Sequence, residues 1–452
     1  MKKHLIFSVI FLAFFGNSCS DSPSGPAPIS QPLTLQVGVL LPATGNSPIN
    51  GTAQKAAVEL AVEDINEYFK ASNSASRIEA LIRDTQGSID EESRLIDGMA
   101  EQEIPVVICS MTSGSLALVK PQIDANGTIV LNDVSTSPQL SLDDNLFRLV
   151  PDDKYSAKVM ADFLSESGIE KIIIYYRNDW WGTGLQEQIA AAFTSPENGR
   201  SVADTIVYDS RLYMVDMDEK VNDLDTSVFQ ALIETTADKV AVILISFEEG
   251  IEILKRAAAY ATLSSVKWYT GDGLGQNMDL LNDAAAAAFA VQVGLQAPLI
   301  AEADSDSCRD LLTRIQEKTG LDHYAFAPVI YDAVWLAALA MSEAGSDADS
   351  TLIKTALIQQ AWDYDAVTGL IEFNSAGDRA TCEYDFWEVD LVNGYYDWVK
   401  TVARYFSATA SPSFSFTSAP VVSTGKALQQ AYQEPLPDPT VEELLEAIHQ
   451  ER

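Results

Sequence analysis

The chain alternates between two hydrophobic periods from Leu35 onward. LQVGVLLP is an apolar run that stops at Pro42, and NGTAQKAAVELAVEDINEYF after it puts Ala53, Ala56, Ala57, Leu60, Ala61 and Ile65 at helical spacing. RIEALIRDT then predicts a strand, DEESRLIDGMAEQ a charged helix, IPVVICS a buried strand, SLALVKPQIDAN a helix and GTIVLND a strand. Strands that take turns with helices of this length predict a parallel sheet covered on both faces, so the fold class is α/β.

The same grammar restarts after NLFRLVPDD. DKYSAKVMADFLSESG, GLQEQIAAAFTSP, TSVFQALIETT and EEGIEILKRAAAYA read as helices, and EKIIIYYRN, SVADTIVYD, KVAVILISF and VKWYTGDG as the strands between them. Two such units in succession predict two Rossmann-like lobes with parallel central sheets, residues 34–150 and 151–295. The acidic stretch DSRLYMVDMDEKVNDLD (209–225) is predicted to be a surface loop.

The last third is mixed. FAVQVGLQAP is strand-like, residues 308–319 and 324–343 carry helical patterns, and TLIKTALIQQAW adds a third helix. GLIEFN and YDFWEVDLVNGYYDWVKTV read as closing strands that turn at Asn393-Gly394. Residues 296–368 then return to the first lobe and 369–404 to the second. That makes a three-crossing hinge, near Pro151, Gln296 and Gly369. Residues 405–452 form a Ser/Thr/Pro-rich tail ending in a short helix, capped by Asp438, with Val441, Leu444, Leu445 and Ile448 on one face.

The N-terminus reads as an address. Lys2 and Lys3 precede a short apolar core, residues 5–15, then small or polar residues and Cys19. This is a secretory signal, too short to span a bilayer permanently. Cys19 stands where a bacterial lipoprotein signal is cut and the new N-terminal cysteine lipidated, and residues 20–33 read as a flexible tether. No later apolar run is expected to be long enough to cross a membrane, so the protein is expected to be exported and held at the envelope by lipid alone.

Composition removes several function classes. Among 452 residues the formal net charge is −36, which repels nucleic acid and anionic headgroups. Of three histidines, only His323 lies in the body of the chain, a poor basis for histidine-dependent hydrolysis or a zinc site. There is no C-x-x-C pair, P-loop, G-x-S-x-G elbow or metal-spaced cluster. An enzyme is therefore not expected, and no cofactor is called for. Once Cys19 is lipidated, Cys109, Cys308 and Cys382 remain; Cys109 is predicted to be a core thiol, and Cys308 with Cys382 are left as a possible pair.

Candidate chemistry lies where strands end. In an open parallel sheet, ligands bind beyond the carboxyl ends of the strands, beside helix N-termini. IVLNDVSTSPQL places Ser135, Thr136 and Ser137 there, with Ser137 predicted as an N-cap ahead of Pro138. VVICSMTSGSLALV does the same with Ser110, Thr112, Ser113 and Ser115. Uncharged donors beside a helix N-terminus suit a small carboxylate. The second lobe answers with Trp180 and Trp181 after one strand, Phe247 after the next and Asp272 after the third. Trp180 is expected in the core; aromatic walls with one carboxylate suit an ammonium group.

The marks VGVLLPATG, AVELAVEDIN, RDTQGS, VSTSP, FRLVPDD, NDWWGTGL and YTGDG, in that order, resemble the type I periplasmic solute-binding proteins of the leucine/isoleucine/valine-binding family. The resemblance spans about residues 35–402. It implies a non-enzymatic protein that clamps an amino acid or similar amphoteric ligand between two lobes and delivers it to an ABC permease; a ligand sensor without transport is the alternative. It further implies that Ser113 and Thr136, with backbone groups of Val134 and Ser135, grip the ligand carboxylate. Trp181 and Phe247 would wall the site and Asp272 take the ammonium. LND stands here where the family more often has ISP, which brings Asp133 close to the site.

Overall fold

The computed structural model describes residues 33–45, 48–301, 303–321, 326–345, 348–380, 382–406, 414–416 and 421–422. Cys19, the signal, most of the tether and the terminal helix lie outside the described residues.

The first unit runs β1 (Thr34–Leu41), α1 (Pro48–Ala71), β2 (Arg77–Asp84), α2 (Ile89–Glu101), β3 (Val106–Cys109), α3 (Ser113–Asn126), β4 (Ile129–Asn132) and β5 (Leu146–Arg148). These strands form one parallel sheet in the order β2-β1-β3-β4-β5. Alternation along each strand sends Val37, Val39, Ile108 and Leu131 to the face of α1, and Leu40, Val107, Cys109 and Val130 to that of α2 and α3.

The second unit holds α4 (Asp153–Glu166), β6 (Lys171–Arg177), α5 (Trp180–Phe193), β7 (Ser201–Tyr208), α6 (Tyr213–Glu234), β8 (Val240–Ile245), α7 (Gly250–Ala257), β9 (Lys267–Thr270), α8 (Met278–Asn282), α9 (Ala284–Val293) and β10 (Gln296–Ile300). Its sheet is parallel from β7 through β6, β8 and β9 to β10. One face packs on α4 and α5, the other on α6, α7, α8 and α9. The two sheets are the two lobes the alternation predicts.

Three details differ from expectation. The acidic stretch at 209–225 is mostly helix, because Met217, Val221, Leu224, Val228 and Ala231 form a buried helical stripe that its carboxylates hide in a linear reading. β10 pairs with β9 and with β11 (Glu383–Val392), so the chain leaves the second sheet after Ile300 rather than at Gln296. In the excursion α10 (Asp306–Thr319), α11 (Ala327–Ala344) and α12 (Ser350–Asp363) join α1 on the first sheet.

Against the expectation that no later run is long enough, helix α11 could cross a membrane by length and composition, but it is mostly buried in the first-lobe core. Its buried Asp332 accepts from Tyr364, Val367 N–H and both the N–H and hydroxyl of Thr368, and so ties the chain's exit from α12 to the lobe.

β11 then turns through Asn393 and Gly394, both at positive φ, into β12 (Tyr395–Phe406), as the Asn-Gly pair predicts. The tail contributes β13 (Phe414–Phe416) and β14 (Val421–Val422), both paired with β12. No disulfide joins Cys308 to Cys382: the first lies in the first-lobe core, the second in a small cluster with Val159, Tyr384 and Phe386. Cys109 is fully buried, and burial pushes its thiol up to about 12.

Candidate functional site

The strand ends of both lobes face one another, and their polar groups meet there. Asn132, the last residue of β4, turns its amide inward to the carbonyls of Cys109 and Met111. Its Oδ1 accepts the N–H groups of both Val134 (3.1 Å) and Ser135 (2.6 Å). Both N–H groups are thus satisfied within the loop itself. Ser113 begins α3 with Thr112 as its N-cap. Its hydroxyl stands 2.9 Å from that of Ser135 and accepts the Ser137 N–H at 3.3 Å. A Ser113 hydroxyl that donates to Ser135 leaves the Ser135 proton to point elsewhere. Thr136 Oγ1 is buried without a hydrogen-bond partner.

Arg148, at the end of β5, fixes this loop from beneath. It is fully buried, donates from Nη1 to the carbonyls of Ser137 (2.7 Å) and Ser135 (3.3 Å), and pairs through Nε with Asp378 at 2.5 Å. Asp378 also accepts from Ser141, and its backbone neighbours Gly377 and Arg379 bond to the backbone of Arg148. One buried ion pair therefore joins the hydroxyl loop to the last crossing between the lobes.

Ser137 does not cap the 3-10 turn Pro138–Leu140 through its side chain. Its hydroxyl donates instead to the carbonyl of Trp180 at 3.1 Å, across the cleft at the start of α5. Trp180 is correspondingly 46% exposed, while Trp181 is the core residue. The expectation for Trp180 is reversed because the helix start turns its second indole inward. Trp181 stacks on Phe247 (4.7 Å, 9° between planes), and the Arg177 guanidinium covers the other face of Phe247 at 3.9 Å. A Cβ on Gly273 would stand 2.5 Å from Phe247 and 2.7 Å from Trp181, so the rings set the backbone that carries Asp272.

The lobes meet again where α5 passes the Pro138–Leu140 turn. A Cβ on Gly184 would lie 3.1 Å from Pro138 Cδ and 3.5 Å from Ser137 Oγ. Gly184→Leu is expected to hold the lobes apart and weaken ligand binding by about tenfold or more, with the melting temperature of the ligand-free protein little changed. Calorimetric titration beside small-angle scattering checks it; unchanged affinity would place closure elsewhere.

Asp153 was not among the residues the sequence singled out. Two aspartates follow Pro151, and Asp152 caps α4 by accepting the Lys154 N–H. A helix start needs one such cap, so a second adjacent carboxylate was the available signal. Asp153 is 1% exposed, and its Oδ2 has no hydrogen-bond partner. Burial and then the facing charge of Asp272 push its carboxyl well above the usual range, against the pull of Thr136, Arg148 and Ser156. Burial likewise pushes Asp272 up to about 6, against its own N–H and that of Gly273. Neither carboxylate forms an ion pair among the described residues, although Arg148 acts on Asp153 from a distance, whereas nearby Asp385 is paired with Lys400 at 2.7 Å.

Thr136, Ser156, Asp272, Gln276, Phe326 and Tyr384 are among the residues lining a cavity of about 30 Å³ between the lobes. That is room for about one water, so a larger ligand enters only with the lobes parted. A wider surface groove beside α1 and β2 has its polar groups satisfied locally, Asn66 by Ile78 and Arg77 by Glu79 and Thr34. No group of three or more metal-ligating side chains occurs among the described residues.

Residues 53–391 match the family described as the receptor family ligand binding region, and the chain belongs to that family. An uncharacterized protein of Methanocaldococcus jannaschii is 24% identical over 380 residues, covering 78% of this chain and 87% of its own. Among solved structures, the ABC transporter substrate-binding protein of Desulfitobacterium hafniense in complex with Leu is similar at a TM-score of 0.63 and 20% identity, over 81% of this chain and 99% of that one. A solute-binding protein of an ABC transporter from R. palustris, in complex with benzoate, matches at 0.63 and 14%, over 85% and 98%. The fold is that of the type I periplasmic binding proteins, with two lobes.

Proposed function

We propose that the protein is an extracytoplasmic solute-binding component of an ABC transporter that closes on a free amino acid. The observation that carries this reading is the pair Asp153 and Asp272, two neighbouring carboxylates of the second lobe, neither of them in an ion pair among the described residues. Like charges this close oppose each other unless a cation joins them, and an ammonium group does so with hydrogen bonds to spare. Beside them stand the hydroxyls of Thr136 and, through Ser135, Ser113, which suit the ligand's carboxylate. An aromatic acid such as benzoate brings no positive charge to the two aspartates, so the amino acid is favoured.

Under this reading Cys19 carries the lipid, residues 20–33 tether the lobes to the membrane, and a permease receives the ligand from the closed form. Closure follows population shift: contacts to both lobes favour the closed state over the open one.

The test is a thermal-shift series that sets amino acids against the same skeletons without the amine, leucine against 4-methylpentanoate. The amino acid is expected to raise the midpoint and the plain acid to leave it. The pH sense follows from the raised carboxyls. A cation binds the ionised form, so affinity climbs as pH rises from about 5 through about 6. For the ligand-free protein the sign is opposite: Asp272 holds its proton in the fold longer than in the unfolded chain, so its contribution to stability fades over the same rise. A plain acid that binds as well as its amino acid overturns the reading.

A further inference from the structure

The void between the lobes has one more polar wall, supplied by the strand that re-enters the second lobe after the last crossing. Tyr384 lies on β11 opposite Ile300 of β10, packed against Val159 of α4 and Phe386. It lines the same space of about 30 Å³ as Thr136, Ser156 and Asp272. Ser156 donates to Asp153 Oδ1 at 3.3 Å, so Asp153 adjoins this wall, with its Oδ2 left without a partner. Tyr384 is 3% exposed, and its hydroxyl forms no hydrogen bond among the described residues.

An enclosed hydroxyl that pairs with nothing in the chain is uncommon and points to a partner from outside. Burial, and after it the nearby ionisable groups of Cys382, Asp153, Asp272 and Asp152, push the phenol well above its usual range, so it stays protonated beside the two carboxylates. A phenol in that state donates one hydrogen and keeps its lone pairs free to accept. With the hydrogen given to Asp153 or Asp272, the oxygen faces the void as an acceptor. An ammonium group has three N–H donors, and two carboxylates with one hydroxyl around a space for a single heavy atom match that number. The other hydroxyls of the wall are engaged: Ser156 bonds to Asp153, and Thr136 serves the ligand carboxylate under the reading above.

We infer that Tyr384 accepts the third N–H of the ligand's α-ammonium, beside Asp153 and Asp272, and that the site selects primary amines against N-alkylated ones. The inference rests on the amino-acid reading of the same cleft and adds a residue and a substrate class to it. An N-methyl group removes one N–H and puts a carbon where the phenol oxygen would accept a hydrogen. That oxygen is then left unpaired in a closed site, which is how a polar pocket rejects an analogue lacking one donor.

The experiment is calorimetric titration of the full chain with leucine against N-methylleucine and lysine against Nα-methyllysine. In each pair that binds, the primary amine is expected to be tighter by about tenfold or more. Tyr384→Phe is expected to weaken the primary amine by about tenfold and to bring the two members within about threefold of each other. The melting temperature of the ligand-free variant is expected to be unchanged or higher, because the hydroxyl it loses has no partner. Should the variant not fold, the ratio for the unaltered protein tests the selectivity on its own. Equal binding of both members overturns the inference and leaves the amino-acid reading intact. A ratio that Tyr384→Phe does not move also overturns it, since the hydroxyl then meets only water and another group meets the amine. If none of the four compounds binds, the amino-acid reading fails and this inference falls with it.

Discussion

Asp272→Ala is expected to abolish the ligand-induced thermal shift while leaving the midpoint of the ligand-free protein unchanged or higher. The two halves of that result come from one geometry. Asp153 and Asp272 are neighbours, and the charge of Asp272 raises the cost of charging Asp153. Removing one frees its partner from a like charge, which favours the fold; it also removes half of the clamp on a cation, which costs about 2–3 kcal/mol of binding for a charge-assisted hydrogen bond lost, or roughly a hundredfold. Calorimetry with leucine and lysine, together with the melting curve, reads both. Retained affinity would sink the ammonium role of Asp272, and a large drop in midpoint would show that the carboxylate is structural.

How much of this was legible beforehand depends on the kind of signal. The two lobes were, because strand and helix periods are local properties of the chain and repeat in tandem. The hydroxyl loops were too, since Ser113, Ser135 and Thr136 are adjacent in sequence to strand ends whose burial is plain. Asp153 was not: a carboxylate at a helix start looks the same whether it caps, as Asp152 does, or faces a cleft. Ser137 illustrates the same blindness, its hydroxyl satisfied by Trp180 in the other lobe rather than by its own helix. The stripe of α6 was hidden by its carboxylates, which are interleaved with the apolar positions in the linear reading. What the sequence left out is consistently a matter of partners that only tertiary structure supplies.

Arg148→Met is the variant expected to cost most in stability. Arg148 and Asp378 are both buried, and truncating one partner strands the other's charge, a loss of about 3–5 kcal/mol. The same change releases the carbonyls of Ser135 and Ser137. Ligand affinity is therefore expected to fall in a fully folded sample at low temperature, beyond what the lower midpoint explains. Chemical denaturation alongside titration separates the two effects. Arg148→Met combined with Asp378→Leu is expected to recover part of the stability, since no unpaired charge remains, but not the affinity. Recovery of both would mean that the ion pair serves the fold alone.

Helix α11 has a consequence that concerns the chain before it folds. A segment so apolar, met as an extended polypeptide, has a tendency to lodge in a lipid bilayer in place of reaching the core it is meant to fill. Asp332 sits about a third of the way along it, and a carboxylate inside such a segment opposes insertion, by up to roughly 2.5–3.5 kcal/mol at a helix centre and by less at this position. The residue that later fastens the chain after α12 thus also discourages the unfolded chain from stopping partway through a membrane.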